Sequence, residues 1–169
     1  DSFKAFLDAT KDGALLAATY CVPDGAPGYP AVVLAPGSAA APRRLYNGVL
    51  DRLCREGIAV LSADKRGIGG SSGSYDRANN SSTETLELLG RDLATEWRWL
   101  AAQPGVDPRR CGYWGVSQAG WTIPVALVET PAASFAVLMS GPVATVSEEN
   151  AFSELAGESD DPMGSREPR

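Results

Sequence analysis

Histidine is absent from the 169-residue sequence. Histidine is the usual base that activates a catalytic serine and the commonest metal ligand. Its absence excludes a complete serine–histidine–acid triad within the sequence, together with any zinc site that depends on histidine. Long apolar runs are absent too. None approaches the roughly 20 residues that a membrane-spanning helix needs, so no membrane span is expected.

Cysteine is scarce. Cys21, Cys54 and Cys111 are an odd number, widely spaced and without a CxxC pair, so they offer no metal cluster. We expect three free thiols. The alternative is one disulfide with a spare thiol, because spacing alone does not decide between the two.

An excess of positive charge is also absent, because 15 lysines and arginines face 21 acidic residues and leave a net charge of -6. No general basic surface is available, so neither nucleic acid nor anionic lipid is expected as a partner. The sequence does have a hydrophobic content of 44% over a length suited to one domain with a real core. It does not indicate a cellular compartment.

Short apolar runs alternate with segments of helical periodicity, a pattern typical of an α/β protein built on a sheet. The first two runs predict an antiparallel hairpin, and the later ones predict buried central strands. Strands are expected at 3–9, 15–22, 31–35, 58–63, 111–116 and 135–139. Helices are expected at 42–56, 83–103, 118–129 and 147–155. Ser82 or Thr83 is the expected cap of the second helix, and Ser147 that of the last.

The run Gly115-Val116-Ser117-Gln118-Ala119-Gly120 lies between the fifth predicted strand and the helix after it. A serine on a tight strand-to-helix turn adopts a strained backbone, which is tolerable only if the residues two before and two after are small. Gly115 and Ala119 meet that requirement, so Ser117 is predicted to be a nucleophile. The alternative is a serine that merely caps the helix, which does not explain the small residues at both flanking positions.

Attack by a serine on a carbonyl needs preorganised donors for the oxyanion that forms. The backbone N–H of Gln118 lies at a predicted helix start, where the dipole favours negative charge. The loop Gly37-Ser38-Ala39 follows the third predicted strand. We expect the Ser38 N–H to be the second donor, with Ala39 close behind. A simple glycine turn is the alternative for this loop.

The glycine-rich run from Asp64 to Gly73 does not fit a nucleotide site, because GxGxxG fails at Ser72 and no GxxxxGK[ST] is present. No cofactor or metal is therefore expected. Asp64 and Arg66 are predicted to fix this loop by charge and hydrogen bonding, the alternative being a solvated surface loop. The four tryptophans are assigned to packing, except that Trp121, one turn past the serine, is a candidate substrate contact together with Gly37 and Ala39.

Three segments, Leu34–Ser38, Asp64–Gly73 and Gly115–Trp121, together resemble the α/β-hydrolase superfamily, and more narrowly its bacterial esterase, acyl thioesterase and dienelactone-hydrolase-like branches. The resemblance extends to about Pro142. It implies a doubly wound, mostly parallel sheet, with Ser117 as nucleophile and oxyanion donors at Gln118 and the Gly37-Ser38 loop. Pro36 and Ala119 depart from the histidine and the glycine that many members have at these positions.

In the family that this chain resembles, the acid and the histidine follow the seventh and eighth strands. Only about six of those eight strands are predicted here, so the simplest account is an N-terminal fragment. Residues 1–142 are then the N-terminal part of the hydrolase core, and 143–169 are the start of a cap or lid, or a loosely ordered tail. No triad acid is assigned among Glu148, Glu149, Asp160 and Asp161.

The expected function is a serine hydrolase that cleaves ester, thioester or related acyl bonds of a small-molecule substrate and is inactive as this chain alone. The alternative is a non-catalytic binding or interaction module that has lost its base. An incomplete sheet leaves an open apolar edge, which offers a route to self-association.

Overall fold

The computed structural model describes residues 2–7, 10, 12–142 and 144–156, with the backbone alone for 2–7, 153 and 156. Within these residues it contains six strands and four α-helices. The strands are β1 (Ser2–Leu7), β2 (Leu16–Cys21), β3 (Tyr29–Ala35), β4 (Ala59–Ala63), β5 (Val106–Val116) and β6 (Ala136–Met139). The helices are α1 (Asn47–Arg55), α2 (Thr83–Ala101), α3 (Ala119–Glu129) and α4 (Val146–Ala156).

All six strands join one sheet in the order β1-β2-β4-β3-β5-β6. The first two form the predicted antiparallel hairpin, β2 is antiparallel to β4, and the remaining neighbours are parallel. This confirms the predicted doubly wound, mostly parallel architecture. The register of β3 on β5 pairs Ala35 with Gly115, so the residues two positions further on, Gly37 and Ser117, leave the same edge of the sheet side by side.

Helices cover both faces of the sheet because alternate strand residues point to opposite sides. On one face, Val33, Leu61 and Tyr113 pack with the apolar stripes of α2 and α3. On the other, Val32 and Leu34 pack against α1. The stripe predicted for α2 is buried along its whole length, at Leu86, Leu89, Leu93, Trp97 and Leu100.

Several element boundaries differ from the sequence prediction. β5 begins at Val106, five residues before the predicted start, because Val106 pairs with Tyr29. The strand therefore includes three exposed residues ahead of its buried part. The Ser82 cap is confirmed, since its side chain accepts a hydrogen bond from the Thr85 N–H at 3.2 Å. Residues 8 and 9 of the first predicted strand lie outside the described residues. So do 143 and 157–169 of the predicted cap or tail, including Asp160 and Asp161.

The Ser147 cap prediction is wrong, because α4 begins one residue earlier, at Val146. Thr145 caps the helix instead: its Oγ1 accepts from the Glu148 N–H at 3.3 Å, and the Glu148 carboxylate accepts from the Thr145 N–H at 2.9 Å. This reciprocal pair is a capping box. Within the described residues, no helix combines the length and the apolar character needed to cross a bilayer.

The expectation of three free thiols is wrong for two of them. Cys21 at the end of β2 and Cys54 in the last turn of α1 form a disulfide, while Cys111 is free and buried. Spacing in the sequence does not show that α1 packs back onto the sheet beside β2, and this packing is what brings the two sulfurs together. Burial raises the pKa of the Cys111 thiol to about 12, so this thiol is protonated at neutral pH.

Removing the disulfide with the double change Cys21→Ala/Cys54→Ala is expected to lower the free energy of unfolding by about 3 to 4 kcal/mol. The bond closes a loop with a sequence separation of 33 residues, and cross-linking a loop of this size restricts the unfolded chain by about that much. Urea unfolding with and without dithiothreitol measures the effect. Dithiothreitol should lower the midpoint of the wild-type protein and leave that of the double variant unchanged. A double variant whose midpoint without reductant equals that of the wild type would contradict this assignment.

Candidate active site

Ser117 lies on the turn between β5 and α3 with a backbone φ of 51°. Among the described residues, Ser140 is the one other non-glycine residue with a positive φ. Such a conformation costs free energy and is held here by two hydrogen bonds. The Ser117 N–H donates to the Met139 carbonyl at 3.1 Å, and the Ser117 carbonyl accepts from the Gly120 N–H at 2.8 Å. The side chain is exposed at the carboxyl edge of the sheet.

The residues that flank this turn have no space for larger side chains. A Cβ atom added to Gly115 would lie 2.4 Å from the Cβ of Ala119 and 3.0 Å from that of Ala35. A Cβ atom added to Gly120 would lie 2.6 Å from the ring of Pro142. The small residues that the motif analysis required are therefore enforced by contacts across the turn.

The loop after β3 lies directly against the serine. A Cβ atom at Gly37 would be 3.5 Å from the Cβ of Ser117. The Gly37 N–H is occupied, because it donates to the hydroxyl of Tyr46 at 3.1 Å. The N–H groups of Ser38 and Ala39 donate no hydrogen bond to any part of the chain that the structure describes.

Gln118 supplies the other candidate donor. It is 2% exposed and precedes the first residue of α3, and its backbone N–H likewise has no acceptor among the described residues. At a helix N-terminus this N–H adds to the positive end of the dipole. Unoccupied main-chain N–H groups are therefore found at Gln118, in the turn of the exposed Ser117, and at Ser38 and Ala39, in the loop whose Gly37 lies against that serine.

Lys65 is the site residue that sequence reasoning missed. It follows β4 and is 7% exposed. Its Nζ donates to the Gly37 carbonyl, to Oε1 of Gln118 at 2.9 Å and to the Ala39 carbonyl at 3.5 Å. Burial lowers the pKa of Lys65 to about 8, which leaves it mostly charged at neutral pH. Lysine is rarely buried, and nothing local in the sequence distinguishes this one from a surface lysine.

Tyr75 completes the contacts of this lysine. Its hydroxyl accepts from the Lys65 Nζ at 3.2 Å and donates to the Ser38 carbonyl at 2.6 Å. The ammonium also lies 4.5 Å from the centre of the tyrosine ring, within the range of a cation–π interaction. The Lys65 ammonium therefore joins the loop after β3, the loop after β4 and the start of α3.

Asp64 and Arg66 fix the glycine-rich loop after β4, as predicted, and the solvated-loop alternative is wrong for these two residues. The buried Asp64 carboxylate accepts from the N–H of Gly70 at 2.9 Å and pairs with the Arg43 guanidinium. Arg66 binds Asp92 of α2 through two nitrogens, at 2.8 and 2.6 Å. Burial raises the pKa of Asp92, and the Arg66 guanidinium works against that rise.

The tryptophans mainly pack. The indole of Trp97 donates to the Cys111 carbonyl at 3.1 Å, and Trp99 lies edge-on to Tyr20 with ring centres 5.3 Å apart. Trp121 is half-buried, and its indole N–H donates to the Ala144 carbonyl at 3.0 Å. That bond ties α3 to the segment before α4 and leaves a substrate contact by Trp121 a prediction.

A cavity of about 20 Å³ lies under the site, lined in part by Lys65, Gln118, Asp92 and Glu96. One carboxyl oxygen of Glu96 has no hydrogen-bond partner among the described residues, and burial raises the pKa of this side chain well above its usual range. The cavity is large enough for about one water molecule and far too small for an organic substrate. A substrate must therefore approach Ser117 from its exposed side.

The site lacks a general base within the part of the chain that the structure describes. No side chain there forms a hydrogen bond with the Ser117 hydroxyl, and the sequence contains no histidine. No group of three or more cysteine, aspartate or glutamate residues in that part is placed to bind a metal ion. The described residues thus place an exposed serine hydroxyl beside unoccupied main-chain N–H groups, without a side chain that accepts a hydrogen bond from that hydroxyl.

Residues 46–166 match the prolyl oligopeptidase family. A polyketide transferase of Penicillium crustosum, claH, is 27% identical over 122 residues, which cover 72% of this chain and 38% of that protein.

Solved structures of α/β-hydrolases share the fold. Acetyl xylan esterase 1 from Thermoanaerobacterium is similar with a TM-score of 0.71 at 20% identity, over 98% of this chain and 58% of that one. GrgF, an α/β-hydrolase from Penicillium, is similar with a TM-score of 0.70 at 20% identity, over 94% of this chain and 53% of that one. The chain thus spans about 38 to 58% of the length of these similar proteins.

Proposed function

Because this chain belongs to the prolyl oligopeptidase family and has the α/β-hydrolase fold, we propose that the protein is a serine hydrolase acting on ester, thioester or related acyl bonds. The observation that carries the proposal is the exposed Ser117 on a positive-φ turn, with unoccupied main-chain N–H groups at Gln118 and in the adjacent Ser38-Ala39 loop. The substrate is a small molecule with an acyl group. The family is named after an oligopeptidase. We nevertheless propose an ester rather than a peptide substrate, because solved structures with a similar fold are named esterases.

The proposed reaction has two acyl transfers. Ser117 Oγ attacks the carbonyl carbon while a general base takes its proton, and the N–H groups of Gln118 and Ser38 or Ala39 hold the oxyanion. The intermediate collapses to an acyl-serine, and the leaving alcohol or thiol takes the proton from the base. Water then attacks the acyl-serine in the same way and releases the acid. Since the sequence has no histidine, we assign the base and its acid partner to residues outside it.

A fluorophosphonate probe tests this proposal directly. With the full-length protein, we expect one covalent adduct on the peptide that contains Ser117, because the probe reacts with serines that are activated and served by an oxyanion hole. Mass spectrometry of the digested protein locates the adduct. Heat-denatured protein is the control and should not react. An adduct on another serine, or none at all in protein that hydrolyses p-nitrophenyl acetate, would contradict the assignment of Ser117.

A non-catalytic binding module is the second candidate, and the absence of histidine is the observation that favours it. It predicts that the full-length protein binds short acyl esters without hydrolysing them. Comparing turnover of p-nitrophenyl acetate with binding of the same ester to the Ser117→Ala variant separates the two.

We further propose that the cap begins after Pro142, with α4 as its first helix.

A further inference from the structure

The peptide group between Gly37 and Ser38 is held by a buried cation. A trans peptide group is planar, and its C=O and N–H bonds point in opposite directions. The Lys65 ammonium donates to the oxygen of this group, so it also fixes the direction of the Ser38 N–H at the other end. The next peptide group is fixed in the same manner, since the Tyr75 hydroxyl donates to the Ser38 carbonyl at 2.6 Å and so orients the Ala39 N–H.

Lys65 also contacts Gln118, the residue that carries the other candidate donor. Its Nζ donates to Oε1 of Gln118 at 2.9 Å, and the side-chain nitrogen of the same glutamine donates to the Asn80 carbonyl. The Gln118 side chain is held at both ends, and its residue carries the other free N–H beside Ser117. One ammonium group therefore contacts both loops that supply the candidate oxyanion donors.

We propose that Lys65 is a positioning residue of the oxyanion hole, which holds the Ser38 and Gln118 N–H groups at their spacing and strengthens the Ser38 N–H as a donor. The inference rests on the proposed acyl-transfer function. A cation at a carbonyl oxygen polarises the peptide group and makes its N–H a better donor, and the effect is larger where water is excluded. Only interactions that strengthen as the oxyanion forms accelerate the reaction, so this contribution belongs in kcat.

Two other roles for Lys65 fit the contacts less well. It is not needed to neutralise Asp64, because that carboxylate is already bound by Arg43 and the Gly70 N–H. Nor is it placed as the base for Ser117, because its three N–H bonds are directed at four other oxygen atoms within 3.5 Å, and none of these is the serine hydroxyl. A buried ammonium bound by neutral oxygens adds little to stability, which leaves orientation of the loops as its main effect.

The test is Lys65→Met in the full-length protein, with p-nitrophenyl acetate as substrate. We expect kcat to fall about 10- to 100-fold, which is less than the loss of a whole oxyanion donor, and KM to change little. Affinity for an alkyl trifluoromethyl ketone, which forms a tetrahedral adduct with the serine, should fall by the same factor as kcat/KM. Wild-type kcat in this variant, or a rise in KM alone, would overturn the inference.

Arg66→Lys is the matched control, because it alters the neighbouring buried cation, whose partners are carboxylates rather than the two loops. It should lower Tm while kcat stays within about twofold of wild type. An equal loss of kcat in the control would reduce the role of Lys65 to general stability and overturn the inference. Loss of kcat as complete as in Ser117→Ala would overturn it in favour of lysine as the base.

Tyr75→Phe provides a second route if Lys65→Met does not fold. It keeps the ring beside Lys65 but removes the hydroxyl that binds Lys65 and the Ser38 carbonyl. We expect kcat to fall several-fold at unchanged KM, and wild-type kcat would count against the network. The outcomes separate the two claims. An active Ser117→Ala variant refutes the proposed function, whereas an inactive one beside fully active Lys65 and Tyr75 variants refutes the positioning role alone.

Discussion

Ser117→Ala is expected to lower kcat of the full-length protein for short acyl esters by at least about 10⁴-fold, because the variant cannot form the acyl-serine intermediate. The fold should survive, since the side chain is exposed and its hydroxyl makes no hydrogen bond within the described residues. Hydrolysis of p-nitrophenyl acetate under saturating conditions measures kcat, and circular dichroism checks the fold. KM should change little, because substrate binding does not depend on the attacking oxygen.

Ser140→Ala is a closely matched control for this experiment. Ser140 follows β6 at the same edge of the sheet, is exposed, and has a φ of 49° against 51° for Ser117. Both substitutions therefore impose a similar backbone cost on alanine, and only one removes the proposed nucleophile. We expect wild-type kcat in Ser140→Ala. Equal loss in both variants would show that backbone strain, not the Ser117 hydroxyl, limits the reaction.

Much of the fold could be predicted from the sequence because its central strands are buried on both faces. Runs such as Val32-Val33-Leu34 have no polar alternation and are bounded by loop residues, so their type and order are clear. The start of β5 could not be predicted in this way. Residues 107–110 are Asp-Pro-Arg-Arg and lie between the Val106–Tyr29 and Cys111–Ala31 pairs, where the register shifts and burial does not dictate residue type.

The candidate site likewise has a part that could be predicted from the sequence and a part that could not. Ser117 and its small neighbours form a local motif, because the turn that exposes the serine is made by consecutive residues. Lys65, Tyr46 and Tyr75 contact the loop after β3 from other elements, and these contacts depend on the position of β3 between β4 and β5. The disulfide also depends on tertiary packing, since Cys54 meets Cys21 only after α1 docks. The spacing of residues in the sequence shows neither that these side chains lie near the loop after β3 nor that the two cysteines lie near each other.

Gly115→Ala is expected to destabilise the fold by about 1 to 3 kcal/mol and to lower kcat/KM for short acyl esters about 100-fold. The backbone of Gly115 has no positive φ, so alanine is conformationally acceptable there and the cost is one of space. The new methyl group would lie 2.4 Å from the Cβ of Ala119, which must move, and Ser117 lies between the two. A displacement of about 1 Å is enough for a loss of this size.

The double change Gly115→Ala/Ala119→Gly moves the methyl group across the turn and removes the closest clash. The contacts to Ile123 at 2.9 Å and Ala35 at 3.0 Å remain, so recovery should be partial. Ala119→Gly alone costs about 1 kcal/mol of helix propensity. Urea unfolding and kcat/KM of all four proteins form a double-mutant cycle, in which the double variant should be more stable and more active than the summed single effects. Additive effects would mean that Gly115 is required for a reason other than contact with Ala119.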